Sequence, residues 1–427
     1  MRVVIISDFG DITGGAAKVA ILSARGLAER GVSVLFICAI PPINPLLSHH
    51  NIETRCFDLQ NIWDRPSRTE AAIQGIWNVE AARRLTGELQ AIGSRDAIVH
   101  FHQWTKCFSP SAIAAAGASG CPVAITLHDY FTVCPNGAYY DFKRQVPCQV
   151  KPLSAACIGA NCDARSYPHK VVRLIRQGAI RRSLRRASQP VNLIHVSSFA
   201  KWAVEPFLPK GANSFVVPNP VDADRRARVE VGRNRGFLYI GRFTPEKGCV
   251  QAAAAAHAAK VPITFLGDGP AEQAIRTTYP EARILPWGSA EAVAEALSSA
   301  RALLFPSLWF ETSGLVVAEA LAHGVPAIVS RATAAVDLIE DGLSGLLVDP
   351  GDVGGLEDCL RRLQDDRLAE RLSRGAYQAY WRAPPDRMRH AEMLTRVYRE
   401  ILQAQLALPE RRCAVAAISR TQMPRRP

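Results

Sequence analysis

The chain has 427 residues, of which 48% are hydrophobic and 21% charged. That length suits two folded domains, and that composition excludes a disordered or fibrous protein. The formal charge of +12 favours anionic partners without choosing among nucleic acid, lipid and phosphorylated substrates.

In chain order, the first residues read as a β-strand rather than a secretion signal. Val3–Ser7 is apolar and β-branched, and a Gly14-Gly15 turn follows. Apolar periodicity then predicts a helix from about Ala17 to Glu29, ended by Gly31. Val32–Cys38, Ala97–Phe101, Val123–Leu127 and Val191–Val196 read as further buried strands. A second series begins after Pro209: Phe215–Val217, Gly236–Ile240, Ile263–Leu266, Arg283–Leu285, Leu303–Phe305, Ala327–Val329 and Gly345–Val348. Helical patterns such as Val250–Ala259 and Ala290–Ala300 fall between these strands. Strand and helix in alternation predict two α/β units with parallel sheets covered on both faces. The expected domains are 1–208 and 209–384, a long amphipathic helix over 385–408, and a disordered tail over 409–427. No apolar run is long enough to span a membrane, so a cytoplasmic protein is expected. In parallel sheets, ligands sit beyond the carboxyl ends of the strands, so the chemistry is sought in the loops there.

Three loops stand out. The strongest is Glu311-Thr312-Ser313-Gly314-Leu315, leading into a predicted helix that carries Glu319. The backbone N–H groups of residues 312–315 would lie at a helix start, where they lack intrahelical partners and attract an anion. Glu311 and Glu319 could accept hydrogen bonds from sugar or ribose hydroxyls. Eight helical steps cover roughly 12 Å, whereas glycosidase carboxylate pairs stand about 5–9.5 Å apart, so the spacing argues against hydrolysis. An ordinary amphipathic helix with two solvated acids is the plain alternative. The second loop is Gly241-Arg242-Phe243-Thr244-Pro245-Glu246-Lys247-Gly248. Its two cations could neutralise a leaving diphosphate and make a divalent metal unnecessary, or it could be a solvated basic turn. The third is Gly14-Gly15, which is not the G-x-G-x-x-G of dinucleotide enzymes and so disfavours a nicotinamide oxidoreductase. Gly267-Asp268-Gly269-Pro270 and Pro218-Asn219-Pro220-Val221-Asp222 are turn signals.

Taken together, these motifs resemble the retaining glycosyltransferase family 4. The pair GRFTPEKG and ETSGLVVAE carries the resemblance, supported by the Gly14-Gly15 loop, Val196–Lys201, PNPVD, GDGP, and GVPAIVS with DGLSGLLVDPGD. The resemblance covers nearly the whole chain. It implies a GT-B fold, two Rossmann-like domains facing each other across a cleft, with the last helix crossing back onto the first domain. It also implies a nucleotide-diphosphate sugar donor, a glycan or lipid-linked acceptor, and no cofactor for catalysis. Arg242 and Lys247 would bind phosphates, Glu311 the transferred sugar, and Glu319 the ribose. Gly14, Gly15, Gly241, Gly267, Gly269, Thr312, Ser313, Gly314 and Leu315 would line the donor site. His128 would lie near the reacting sugar, with His102 and Asp129 towards the acceptor. Ser313 departs from the family, which often has Phe there.

Two features lie outside the resemblance. Cys134, Cys148, Cys157 and Cys162 cluster in one stretch and form a candidate structural zinc site, although without C-x-x-C spacing. Arg165 to Arg186 carries eight basic residues and no acid, interleaved with Val171, Val172, Leu174, Ile175, Ile180 and Leu184. It reads either as a basic amphipathic helix for peripheral docking on an anionic membrane or as a solvated helix packed on its own domain. A sugar-nucleotide epimerase of the same fold is the nearest rival function. A nucleic-acid-binding protein is a weaker one, because no zinc finger, helix-turn-helix or aromatic platform is present, so no nucleic-acid partner is expected.

Overall fold

The computed structural model describes residues 1–93 and 97–421, with side chains described to 405 apart from 94–96. The first sheet comprises β1 (Arg2–Phe9), β2 (Ser33–Ile40), β3 (Ile52–Cys56), β4 (Ala97–Phe101) and β5 (Val123–Leu127). After a small antiparallel hairpin, β6 (Tyr140–Asp141) with β7 (Val146–Pro147), it is completed by β8 (Asn192–His195) and β9 (Asn213–Val216). Its order is β3-β2-β1-β4-β5-β8-β9, and every pairing is parallel. The second sheet holds β10 (Phe237–Ile240), β11 (Ile263–Leu266), β12 (Arg283–Leu285), β13 (Leu303–Phe305), β14 (Ala327–Ser330) and β15 (Gly345–Val348). It is also all parallel, in the order β12-β11-β10-β13-β14-β15. Each sheet therefore reverses its order once, between β1 and β4 and between β10 and β13. Such switch points open a crevice for ligands at the carboxyl ends of the strands.

The strands form because their residues are buried on both faces. Val3–Ile6, Phe36, Ile98 and Val99 are fully enclosed in the first unit, as are Phe265, Leu303, Leu304, Ile328 and Val329 in the second. One expected element changes sides. The segment around Phe215 was expected to open the second domain, but β9 pairs with β8 and ends the first sheet. Local apolar pattern marks a strand without stating its neighbour. The crossover lies in the proline-rich stretch that follows, where Val221 donates its N–H to Pro385 O at 2.7 Å.

The last helix, Arg387–Thr421, returns to the first domain. Ala391, Leu394, Tyr398 and Ile401 join the core formed by Ala20, Ile21, Ala24 and β1. Gly26 permits the approach, because a Cβ there would stand 2.9 Å from the Arg387 carbonyl oxygen. The helix continues through residues where a disordered tail was expected, and 422–427 lie outside the described residues.

Candidate active site

Both switch points deliver loops to the same gap. On the second domain, Gly248 has φ +70°, and a Cβ there would lie 2.1 Å from the Pro306 carbonyl oxygen. Only glycine satisfies both conditions, so the loop after β10 is pressed against the loop after β13. Leu308 N–H donates to Glu246 O at 2.8 Å and fastens the two. The result is a largely enclosed pair: Lys247 Nζ stands 2.8 Å from Oε2 of the buried Glu311. Ser307 Oγ donates to the other carboxylate oxygen of Glu311, and the Lys247 ammonium lies 5.0 Å from the Trp309 ring centre. Glu311 is held from behind as well, because Ala334 N–H donates to its carbonyl at 2.9 Å. Arg242, earlier in the same loop, is exposed.

Gly241, Gly267 and Gly269, expected at the donor, serve first to stack two loops. A Cβ on Gly267 would come within 2.0 Å of Gly241 O, and one on Gly269 within 2.5 Å of Phe243 O. The helix after the acidic motif is Leu315–Ala322, with Gly314 as its N-cap and no side-chain cap bond. The Gly15–Glu29 helix of the first domain likewise starts at an uncapped glycine, Gly14. The two helix starts approach each other, since a Cβ on Gly15 would meet Leu315 Cδ1 at 3.5 Å. Uncapped N-termini leave free N–H donors and a positive dipole end, so two such ends face one gap. Glu319, one turn deeper, lies 3.6 Å from Lys18 Nζ of the opposite domain.

Thr312 plays a part the sequence did not disclose. Its hydroxyl donates to His128 O at 2.9 Å, and its carbonyl accepts from Ser197 Oγ at 3.0 Å. Both partners are in the first domain, so Thr312 joins the two units. Phe199 N–H adds a bond to Asp337 Oδ2 at 3.1 Å. Asp8 was also missed. Buried at the end of β1, it accepts N–H groups from Lys106, Cys107 and Phe108 and fixes the loop after β4. Burial pushes its carboxyl above the usual range despite those bonds. An isolated acid after a strand gives no periodic signal, which is why pattern reading passes over it.

His128 follows β5, and its Nε2 lies 3.1 Å from Nδ1 of His102. Burial lowers the His128 imidazole to about 3, with His390 adding to the effect. Burial, followed by neighbouring histidines, drives His102 well below its ordinary value. Both rings are therefore neutral near pH 7, so His128 acts as a hydrogen-bonding group and not a cation. Asp129 accepts from Phe131 N–H at 2.9 Å. Burial raises its carboxyl to about 6.

Among the described residues no group of three or more His, Cys, Asp or Glu side chains, the four cysteines included, is placed to hold a metal ion. Two of the sulfurs are engaged locally. Cys134 donates to Asn136 Oδ1 at 3.1 Å, and Cys162 Sγ accepts from Lys170 Nζ at 3.2 Å. The stretch instead packs on the acidic loop, with Ala138 and Tyr140 against Leu308 and Trp309. The basic segment is a helix, Tyr167–Arg186, but not with all its cations outward. Lys170 and Arg176 are buried, and Arg173 pairs with the enclosed Asp163 at 3.2 Å.

Comparison with known proteins gives a consistent answer. A model described as Glycosyltransferase Family 4 matches residues 13–225, and one described as Glycosyl transferases group 1 matches 234–366. The chain is 30% identical over 171 residues to sulfoquinovosyl transferase SQD2 of Arabidopsis thaliana, covering 36% of this chain and 32% of that protein. It is 37% identical over 102 residues to D-inositol 3-phosphate glycosyltransferase of a Nocardioides species, covering 24% and 22%. The matches thus span about a third or less of these curated relatives. Among solved structures, sucrose-phosphate synthase from Thermosynechococcus elongatus superposes with TM-score 0.67 at 18% identity, covering 95% of this chain and all of that one. Anabaena HepE in complex with UDP gives 0.63 at 15%, covering 94% and 100%. At these identities the structures establish a shared fold.

Proposed function

Because the chain belongs to the family 4 glycosyltransferases of GT-B fold, we propose that it moves a hexose from a nucleotide-diphosphate sugar to a glycan or lipid-linked acceptor, retaining the anomeric configuration and needing no metal. The observation that carries this reading is the Lys247–Glu311 pair, 2.8 Å apart, beside two facing uncapped helix starts. A diphosphate entering the gap offers Lys247 a stronger anion than Glu311. As the ammonium turns to the phosphates, the carboxylate is freed to accept hydroxyl hydrogens of the sugar.

The placement of Lys247, Glu311 and the two helix starts supports the following roles. Lys247, Arg242 and the N–H groups before Leu315 hold the leaving diphosphate by fixed charge, and preorganised charge of this kind usually lowers the barrier more than any other single effect. As the sugar–phosphate bond stretches, positive charge grows on the sugar ring. Neutral His128 positions the ring without opposing that charge. The acceptor hydroxyl attacks from the face the diphosphate leaves, and its proton passes to the departing phosphate oxygen. Thr312, bonded to His128 O, holds the domains closed so that water is excluded. This reading sets the reaction in the cytoplasm and suits cell-surface polysaccharide or glycolipid synthesis.

The test is release of nucleoside diphosphate from a panel of UDP-, GDP- and ADP-sugars, with and without EDTA, followed by NMR of the product's anomeric proton. Release insensitive to EDTA with retained configuration supports the reading. A requirement for divalent metal, inversion, or epimerised donor without transfer refutes it.

A further inference from the structure

The Tyr167–Arg186 helix exposes Tyr167, Pro168, Val171, Ile175, Gly178, Arg182, Arg185 and Arg186, while its other residues are wholly or partly covered. At 3.6 residues per turn these positions fall within a single stripe about 100° wide. The stripe is divided along its length. Its first half is apolar, with Val171 40% and Ile175 55% exposed, and its last two turns present three arginines. Beside the start of the helix, Trp63 is 44% exposed, and the Arg165 guanidinium lies 3.7 Å from the centre of its ring. The neighbouring Arg68–Ile76 helix packs against the same element and leaves Ile73 59% exposed. Solvated helices do not usually collect apolar groups on their outermost stripe, and these side chains cover no core of their own chain.

We propose that this face docks the protein on an anionic lipid surface. The Tyr167–Arg186 helix would lie flat, with Val171, Ile175 and Trp63 entering the headgroup boundary and Arg182, Arg185 and Arg186 on lipid phosphates. The charge argument selects this occupant. Three adjacent exposed arginines and Arg165 require an anionic partner, and the apolar half of the same stripe requires that partner to be lipid rather than a fully polar polyanion. Among the described residues no helix is long and apolar enough to cross a membrane, so the attachment is interfacial. The proposal does not depend on which sugar or acceptor the active site uses.

The full chain is sedimented with phosphatidylcholine vesicles, with and without phosphatidylglycerol, at low and high salt. Binding is expected only with phosphatidylglycerol and is weakened by salt. Ile175→Asp together with Val171→Asp should lower it by roughly tenfold or more. Arg182→Gln, Arg185→Gln and Arg186→Gln together should lower it by about a hundredfold. Both variants should keep the parent's thermal midpoint and its release of nucleoside diphosphate in detergent-free buffer. The proposal is overturned if the chain ignores anionic vesicles or binds neutral ones equally well. It is also overturned if the arginine variant loses binding while the aspartate variant does not, which would mark a site for soluble polyanions such as nucleic acid.

Discussion

The hydroxyl of Thr312 donates to the carbonyl of His128 at 2.9 Å, so a residue of the second domain's acidic motif is fastened to the backbone that carries the first domain's histidine. The same residue accepts from Ser197. Closure and assembly of the site are therefore one event. Thr312→Val keeps the shape and removes the donor. One hydrogen bond contributes about 0.5–1.5 kcal/mol, so kcat/KM should fall by about fivefold, with a larger radius of gyration in solution scattering. An unchanged radius and rate would show that closure does not rely on this bond.

Lys247 and Glu311 are matched charges in a largely buried position. Removing one partner leaves the other uncompensated. Lys247→Ala should cut nucleoside diphosphate release by about 10²–10³-fold, the range seen when a fixed donor to a developing anion is deleted. Lys247→Arg should recover part of it. Release by Lys247→Ala within about twofold of the parent would remove this residue from the phosphate site.

Much of the scaffold was legible because buried parallel strands are short uninterrupted apolar runs. The expected bounds 97–101, 123–127, 263–266 and 303–305 coincide with β4, β5, β11 and β13. The placement of β9 was not legible, since strand order depends on contacts between distant segments. At the site, Gly248, Lys247 and Glu311 were marked by their motifs, but the motifs did not reveal that the two charges meet. Thr312, Ser197 and Asp8 act through backbone groups of remote loops, and no local pattern encodes such pairings. A shared stretch of sequence does not by itself bring four cysteine sulfurs into the geometry of one metal site.

The histidines set the acid limb of stability. His100 and His128 are lowered to about 3 and His390 to about 4, chiefly by burial. An unfolded histidine titrates near 6.5. Below that value the unfolded chain takes up protons that the folded chain refuses, so stability falls as pH drops from about 6.5 towards 4. Each histidine contributes a slope approaching 1.4 kcal/mol per pH unit, about one proton's worth. Asp129, raised to about 6, acts oppositely. Its folded form keeps a proton that the unfolded form loses above about 4, which offsets one histidine between pH 4 and 6. The thermal midpoint should therefore drop steeply between pH 6.5 and 5. In His390→Gln, which also loses the contacts with Ser23 and Pro218, the midpoint should be lower at pH 7 but less sensitive to pH. A midpoint flat across this range would contradict the buried neutral state.

Gly248 offers the sharpest separation of packing from chemistry. At φ +70° a side chain is strained, and its Cβ would overlap the Pro306 carbonyl, which is backbone and cannot rotate aside. Gly248→Ala must therefore push the loop after β10 away from the loop after β13. Strain of this kind costs about 1–3 kcal/mol, and the displaced Lys247 should no longer meet Glu311. Activity is expected to fall by more than the loss of stability explains. Gly87, inside the Val79–Ile92 helix, provides the control. A Cβ there meets nothing within 4 Å, so Gly87→Ala should raise stability by about 0.5–1 kcal/mol and leave the rate untouched. Urea unfolding and diphosphate release measured on both variants separate the two effects. If Gly248→Ala retained the parent's rate, the proximity of these loops would not be what assembles the cationic site.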